Sequence, residues 1–329
     1  MAVNLKGRSF LTLMDFSPQE IRYLLDLSHD LKARHRAGSK EKVLDGKEIV
    51  LLFEKTSTRT RCAFEVGAYQ EGANITFLDS GSSQMGRKES LEDTARVLGR
   101  YYDGIEYRGY EQKTVEALAK YSGVPVWNGL TDVDHPTQIL ADMMTIEEHV
   151  ARPLNQVRIA FVGDVRNNMC YAWMYGAAKM GMHFAGVGPE ALYPDSKIMD
   201  EVQTVAKETG ATIEIISDVN ALKDVDVVYT DVWAGMGEES HLKERVALLD
   251  NYRVNSDLIS KIAASDYIFM HCLPAYHDFE TTFAQKARDK QGLDCREVSD
   301  EIFRSRHSVV FDEAENRMHT IKALMVATL

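Results

Sequence analysis

The sequence predicts an α/β protein of two domains, each a parallel β-sheet flanked by helices. Short apolar runs alternate with segments of helical period along most of the chain. The 329 residues are too many for one average domain and comfortable for two. A stretch with no periodicity, Ala151-Arg152-Pro153-Leu154-Asn155, interrupts the alternation near the middle and reads as a joint.

Taken in order, residues 17–36 form a helix, with Leu24, Leu25, Leu27 and Leu31 along it and Ser17-Pro18 as its start. Residues 49–53 are a buried strand, and 62–70 a helix that Gly72 ends. A strand at 75–79 precedes a helix at 89–102. There Ser90-Leu91-Glu92-Asp93 supplies the cap, and Leu91, Ala95 and Leu98 share a face. Strand 104–108, helix 114–121, strand 124–128 and helix 136–149 complete the first domain. In the second, strands are expected at 157–162, 183–187, 212–216, 226–229, 267–270 and 309–311, with helices between most of them and a last helix at 314–327.

Hydrophobic residues make up 45% of the chain, enough for a sizeable core, yet no window holds the ~18 consecutive apolar residues of a membrane helix. The start, Met1-Ala2-Val3-Asn4-Leu5-Lys6, lacks an apolar signal core, so a cytoplasmic protein is expected. The four cysteines (Cys62, Cys170, Cys272, Cys295) contain no CxxC pair, which fits reduced thiols and offers no zinc spacing. A net charge of -12 argues against nucleic acid as a partner. A small anion gripped by a few arginines is compatible with it.

The chemistry concentrates where strands end, as it should in such sheets. Strand 49–53 empties into Glu54-Lys55-Thr56-Ser57-Thr58-Arg59-Thr60-Arg61 at a helix start. Free N–H groups, hydroxyls and arginine forks together make an anion cradle, most simply for a phosphate. A helix cap explains one hydroxyl, not three plus Arg59 and Arg61. The Gly-rich nucleotide loop is absent. Arg108 closes strand 104–108, and His135-Pro136-Thr137-Gln138 opens the helix after strand 124–128. An imidazole there can stay neutral and donate to a carbonyl oxygen. Polar residues 80–90 form a loop. Gly163 to Asn168, Asp231 to Gly237 and His271-Cys272-Leu273-Pro274 follow strands of the second half.

Ser57-Thr58-Arg59-Thr60-Arg61, His135-Pro136-Thr137-Gln138, the Asp231 loop, His271-Cys272-Leu273-Pro274 and Glu315-Asn316-Arg317-Met318-His319 occur in this order. Together they resemble the aspartate/ornithine carbamoyltransferases, and the Asp231 loop and His-Cys-Leu-Pro point to the ornithine branch. The resemblance implies a carbamoyl-phosphate domain at 1–150, an ornithine domain at 151–312, and a C-terminal helix, 313–329, that crosses back onto the first domain. It implies transfer of a carbamoyl group to the side-chain amine of L-ornithine, giving L-citrulline and phosphate, in arginine synthesis or breakdown. Ser57, Thr58, Arg59, Thr60, Gln84, Arg108, His135, Pro136, Thr137, Gln138, Cys272, Leu273 and Arg317 are implied to hold carbamoyl phosphate. Arg108, His135, Cys272 and Arg317 are the implied catalytic set. Asn168, Asp231, Gly235 and Met236 are implied to hold ornithine. Gln84 resembles a residue given by a neighbouring subunit, so a homotrimer or a multiple of it, sharing its sites, is expected. No cofactor or metal and no nucleic-acid or membrane partner is expected.

Physically, a neutral amine attacks the carbonyl of a mixed anhydride, an oxyanion develops, and phosphate leaves. The protein must position both reactants and stabilise charge. Direct amine attack needs no covalent intermediate on Cys272. The family loop usually reads Ser-Met-Gly, whereas here it reads Gly235-Met236-Gly237. The missing hydroxyl leaves another amine, such as putrescine, as the alternative acceptor. A dinucleotide-dependent oxidoreductase competes weakly, because Gly163-Asp164-Val165-Arg166-Asn167-Asn168 lacks the G-x-G-x-x-G spacing. A non-catalytic binding protein has no reason to keep Arg59, His135, Cys272 and Arg317 together.

Overall fold

The computed structural model describes residues 3–79, 81, 85, 86, 88–235 and 239–329. The chain divides into two units, Met1–Met144 with Ala314–Leu329, and Thr145–Glu313. Each is built on one parallel sheet.

In the first unit the strands are β1 (Glu48–Phe53), β2 (Asn74–Asp79), β3 (Gly104–Arg108) and β4 (Val126–Leu130), in the order β2-β1-β3-β4. All three pairings are parallel. β1 is buried from Ile49 to Phe53, as a strand covered on both faces must be. Val50, Leu52, Ile105, Tyr107 and Val126 pack with Ala95, Leu98, Val115 and Leu118. The last four come from helices α3 (Leu91–Tyr101) and α4 (Gln112–Ser122). Helix α1 (Pro18–Arg36) starts at a reciprocal cap, in which Ser17 accepts from the Glu20 amide and the Glu20 carboxylate accepts from the Ser17 amide.

In the second unit β5 (Arg158–Val162), β6 (His183–Val187), β7 (Thr212–Ile216), β8 (Val225–Tyr229) and β9 (Ala263–Met270) lie in the order β7-β6-β5-β8-β9, again all parallel. Its core joins Ala160, Val162, Val228 and Phe269 to Val254, Leu258, Ile262, Ile302 and Val310.

Three expected elements are corrected. The helix expected from 62 is α2, Arg59–Glu71, which starts three residues earlier, where Ser57 Oγ accepts the Thr60 amide. The strand expected at 124–128 is β4, Val126–Leu130, displaced past Pro125, which has no N–H for a ladder. The apolar run 309–311 is not a strand. The Val309 amide bonds to the Phe269 carbonyl, and then the C-terminal helix (Val310–Thr328) begins. Val310, Glu313, Asn316 and Arg317 are buried and Phe311 is 71% exposed, so the buried positions recur at helical and not strand spacing. The end of the C-terminal helix is held within the first unit: Trp127 Nε1 donates to Thr328 Oγ1 at 3.1 Å, and the Gly7 amide to the Thr328 carbonyl at 2.8 Å. Among the described residues no helix is long and apolar enough to cross a membrane.

Candidate active site

In the first sheet the strand order reverses between β1 and β3, and ligands of such sheets bind at the carboxyl ends of strands at this switch point. Phe53 and Arg108, the final residues of these strands, are register partners. β1 then runs through Glu54–Thr58 into α2. Ser57 Oγ accepts the Thr60 amide at 3.2 Å, while exposed Thr58 makes no cap bond. Arg59 and Thr60 therefore sit in the first helical turn, where amides without helical partners collect.

Around Thr60 a buried cluster assembles from four segments. Thr60 Oγ1 accepts from Arg108 Nη1 at 3.1 Å and from Arg317 Nη2 at 3.2 Å. Guanidinium nitrogens only donate, so both lone pairs of this hydroxyl are taken and its own proton is left to donate. Arg317 also donates to Thr137 Oγ1 at 3.3 Å and to Gln138 Oε1. Gln138 Nε2 in turn donates to Asp142 Oδ1 at 2.8 Å, which fixes its amide. Thr137, Gln138 and Asp142 lie in the first turns of α5 (Pro136–His149), opened by Pro136. Thr60, Arg108, His135, Thr137, Gln138 and Arg317 are all buried.

His135 Nε2 lies 3.3 Å from Arg317 Nη1, and Nδ1 lies 3.5 Å from Thr137 Oγ1. An arginine faces Nε2, so that nitrogen is the acceptor and the proton belongs on Nδ1. Burial, then Arg317, Arg108 and Arg59, hold the imidazole well below its ordinary pKa and keep it neutral. The ring is thus neutral with one N–H, on Nδ1, while the nitrogen beside Arg317 accepts.

Glu106 was missed by sequence reasoning. It is fully buried in β3, and neither carboxylate oxygen finds a hydrogen-bond partner among the described residues. Burial pushes its pKa well up, against the pull of Arg108 and Arg317. A methyl group on Gly129 would stand 1.9 Å from Glu106 Oε1, so the carboxyl fills the space that the glycine leaves. The signal was a lone acid inside the apolar strand Gly104-Ile105-Glu106-Tyr107-Arg108.

In the second unit Asp231 follows β8. Its Oδ1 accepts the Val232 amide at 2.8 Å and the Cys272 thiol at 3.4 Å. Its Oδ2 accepts the Asn167 side chain at 3.1 Å. Asn167 also caps α6 (Asn168–Met180) through the Cys170 amide, and Asn168, expected at the acceptor site, is the first residue of that helix. Burial raises the Asp231 pKa, against His271, the Val232 amide and the thiol. Asp231, His271 and Cys272 bring ligand atoms within 4.8 Å of one another. Both ring nitrogens of His271 are engaged by protein groups, Nδ1 by the Leu273 amide at 2.9 Å and Nε2 by Glu297 Oε1 at 3.1 Å. The second such group, His277, Asp278 and Asp300, carries Arg304 on both carboxylates and reads as an ion-pair knot. Gly235 is half-buried. Gln84 and Met236 lie outside the described residues.

Two parallel-sheet units, one holding a buried pair of arginines on the Thr60 hydroxyl and the other a carboxylate–thiol pair, fit the class of group-transfer enzymes. Residues 8–148 match the family model of the aspartate/ornithine carbamoyltransferase carbamoyl-P binding domain, and residues 155–328 match that of the Asp/Orn binding domain. The chain belongs to the aspartate/ornithine carbamoyltransferase family. It is 65% identical over 330 residues to a catabolic ornithine carbamoyltransferase of Clostridium perfringens, covering 100% of this chain and 99% of that protein. The ornithine carbamoyltransferase structure from Pyrococcus furiosus superposes with a TM-score of 0.90 at 40% identity, covering 99% of this chain and 98% of the other. The anabolic enzyme from Campylobacter jejuni gives 0.86 at 36% identity, covering 97% of each chain.

Proposed function

We propose that the chain transfers the carbamoyl group of carbamoyl phosphate to the side-chain amine of L-ornithine, giving L-citrulline and phosphate. The observation that carries this is the Thr60–Arg108–Arg317 cluster at a helix start, inside a family of carbamoyltransferases. Ser57, Thr58, Arg59 and the first amides of α2 hold the phosphate. Arg108, Arg317 and the Thr60 hydroxyl, with its proton directed outward by two cations, stabilise the oxyanion and the leaving phosphate. His135, Pro136, Thr137 and Gln138 frame the carbamoyl group, and the neutral imidazole adds no fixed charge of its own. Arg108, His135, Cys272 and Arg317 form the catalytic set, and Leu273 joins the carbamoyl-phosphate contacts. Asp231, Asn168, Gly235 and Met236 receive ornithine, with Asp231 taking a cationic group. Residues 1–150 serve the first substrate and 151–312 the second, and 313–329 returns Arg317 to the first.

The same residues serve citrulline phosphorolysis. The name of the 65% identical relative favours the catabolic direction in arginine metabolism. We further propose a cytoplasmic homotrimer, or a multiple of it, in which Gln84 enters a neighbour's site. Light scattering on the purified chain tests the assembly, and a monomeric mass overturns it. Steady-state rates with ornithine and putrescine, and phosphorolysis of citrulline, test the activity. A larger kcat/KM for putrescine overturns ornithine as the acceptor.

A further inference from the structure

His271 and Glu297 are completely buried, and no step of the proposed reaction uses either of them. Their hydrogen bonds admit one arrangement. The Leu273 amide donates to His271 Nδ1 at 2.9 Å, so Nδ1 carries no proton. Nε2 must then carry it, and it faces Glu297 Oε1 at 3.1 Å. The same oxygen accepts the Tyr276 amide at 2.6 Å. The main chain holds each end: the His271 amide donates to Glu313 Oε2 at 2.9 Å, and the Glu297 carbonyl accepts the Val254 amide at 2.9 Å. Between these anchors Leu273 takes a φ of 57°, a left-handed conformation that a leucine rarely adopts. Cys272, one residue earlier, donates its thiol to Asp231 at 3.4 Å. A strained turn that presents acceptor-side groups is thus pinned from behind by one imidazole and one carboxyl.

We propose that His271 and Glu297 are positioning residues for the acceptor half of the reaction, holding the Cys272–Leu273 main chain, and through it the Cys272–Asp231 pair, in place for the amine. The inference rests on the carbamoyl-transfer reading above. Burial lifts the Glu297 carboxyl to about 8, so at neutral pH it serves as an uncharged acceptor. A glutamine amide reproduces that acceptor, and a methionine of similar size does not.

The test compares Glu297→Gln and Glu297→Met at pH 7 with both substrates varied. Leaving two buried N–H groups without an acceptor should raise the ornithine KM about tenfold or more and lower kcat. Carbamoyl phosphate meets Cys272 and Leu273 but leans mainly on the first unit, so its KM should rise several-fold less than that of ornithine, and Glu297→Gln should restore wild-type values. A merely structural role would lower stability without separating the two KM values. Equal changes in both KM values, or a Gln variant as impaired as the Met variant, overturn the proposal. Nitrogen-15 NMR of the wild-type chain gives an independent readout should the Met variant fail to fold. His271 protonated on Nε2 alone is expected, and a proton on Nδ1 overturns the assignment. Absence of citrulline formation by the wild-type chain would instead overturn the function reading, and the NMR readout needs no turnover.

Discussion

Replacing Arg317 with lysine keeps the charge and discards the fork. The guanidinium spans Thr60, Thr137, Gln138 and His135 from two nitrogens, whereas an ammonium has one nitrogen on a differently shaped stem. The contacts of the second nitrogen, to Thr60 at 3.2 Å and Thr137 at 3.3 Å, are both lost. Hydrogen bonds from a charged donor are each worth about 1.5–3 kcal/mol, and these two are long, so the low end applies. The hydroxyls can rotate to new partners, which trims the sum to about 2–3 kcal/mol. If that stabilisation is needed in the transition state, kcat/KM for carbamoyl phosphate should fall about 30- to 150-fold. The assay is citrulline formation at saturating ornithine, run well below the variant's melting midpoint, with circular dichroism to confirm the fold. A variant within about threefold of wild type would mean that Arg317 supplies charge alone, and the geometric reasoning fails.

Thr60→Val keeps the shape and removes the oxygen that accepts from both Arg108 and Arg317. It should cut kcat/KM about 10- to 100-fold, while Thr60→Ser stays near wild type. Gly235→Ser should lower the ornithine KM and leave the carbamoyl-phosphate KM unchanged; no fall means that the hydroxyl was not missed. His319 gives a stability test, since its folded pKa is lowered, mainly by burial, from 6.5 to about 4. Unfolded chain therefore binds the proton first, so this contribution is complete above 6.5 and is lost as pH falls towards 4, by at most about 1.4 kcal/mol per pH unit. Melting temperatures measured from pH 7 to pH 4 should drop less steeply for His319→Gln than for wild type.

Much of this architecture is legible in the sequence because buried parallel strands are short apolar runs and their ends carry polar motifs. β3 and α5 match their expected bounds for that reason. What escaped depends on tertiary partners. The start of α2 turned on which hydroxyl caps it, and three neighbouring hydroxyls look alike in sequence. Residues 309–311 resemble a strand until a bridge at Ser308 uses up the edge of β9. Motif matching named Asn168 for the acceptor substrate and gave no sign that Asn167, the cap of α6, holds Asp231. The proton on His135 was beyond reach, because Arg317, far along the chain, decides which nitrogen accepts.

The volume shared by Glu106 and Gly129 makes those two positions one unit of inheritance. A side chain at 129 would displace the Glu106 carboxyl. Shortening the acid alone opens a hole under Arg108 and Thr60. A change at either site therefore disturbs the other, and the floor beneath Thr60 is best altered by paired replacement. The exposed faces of α2 are under no such restraint.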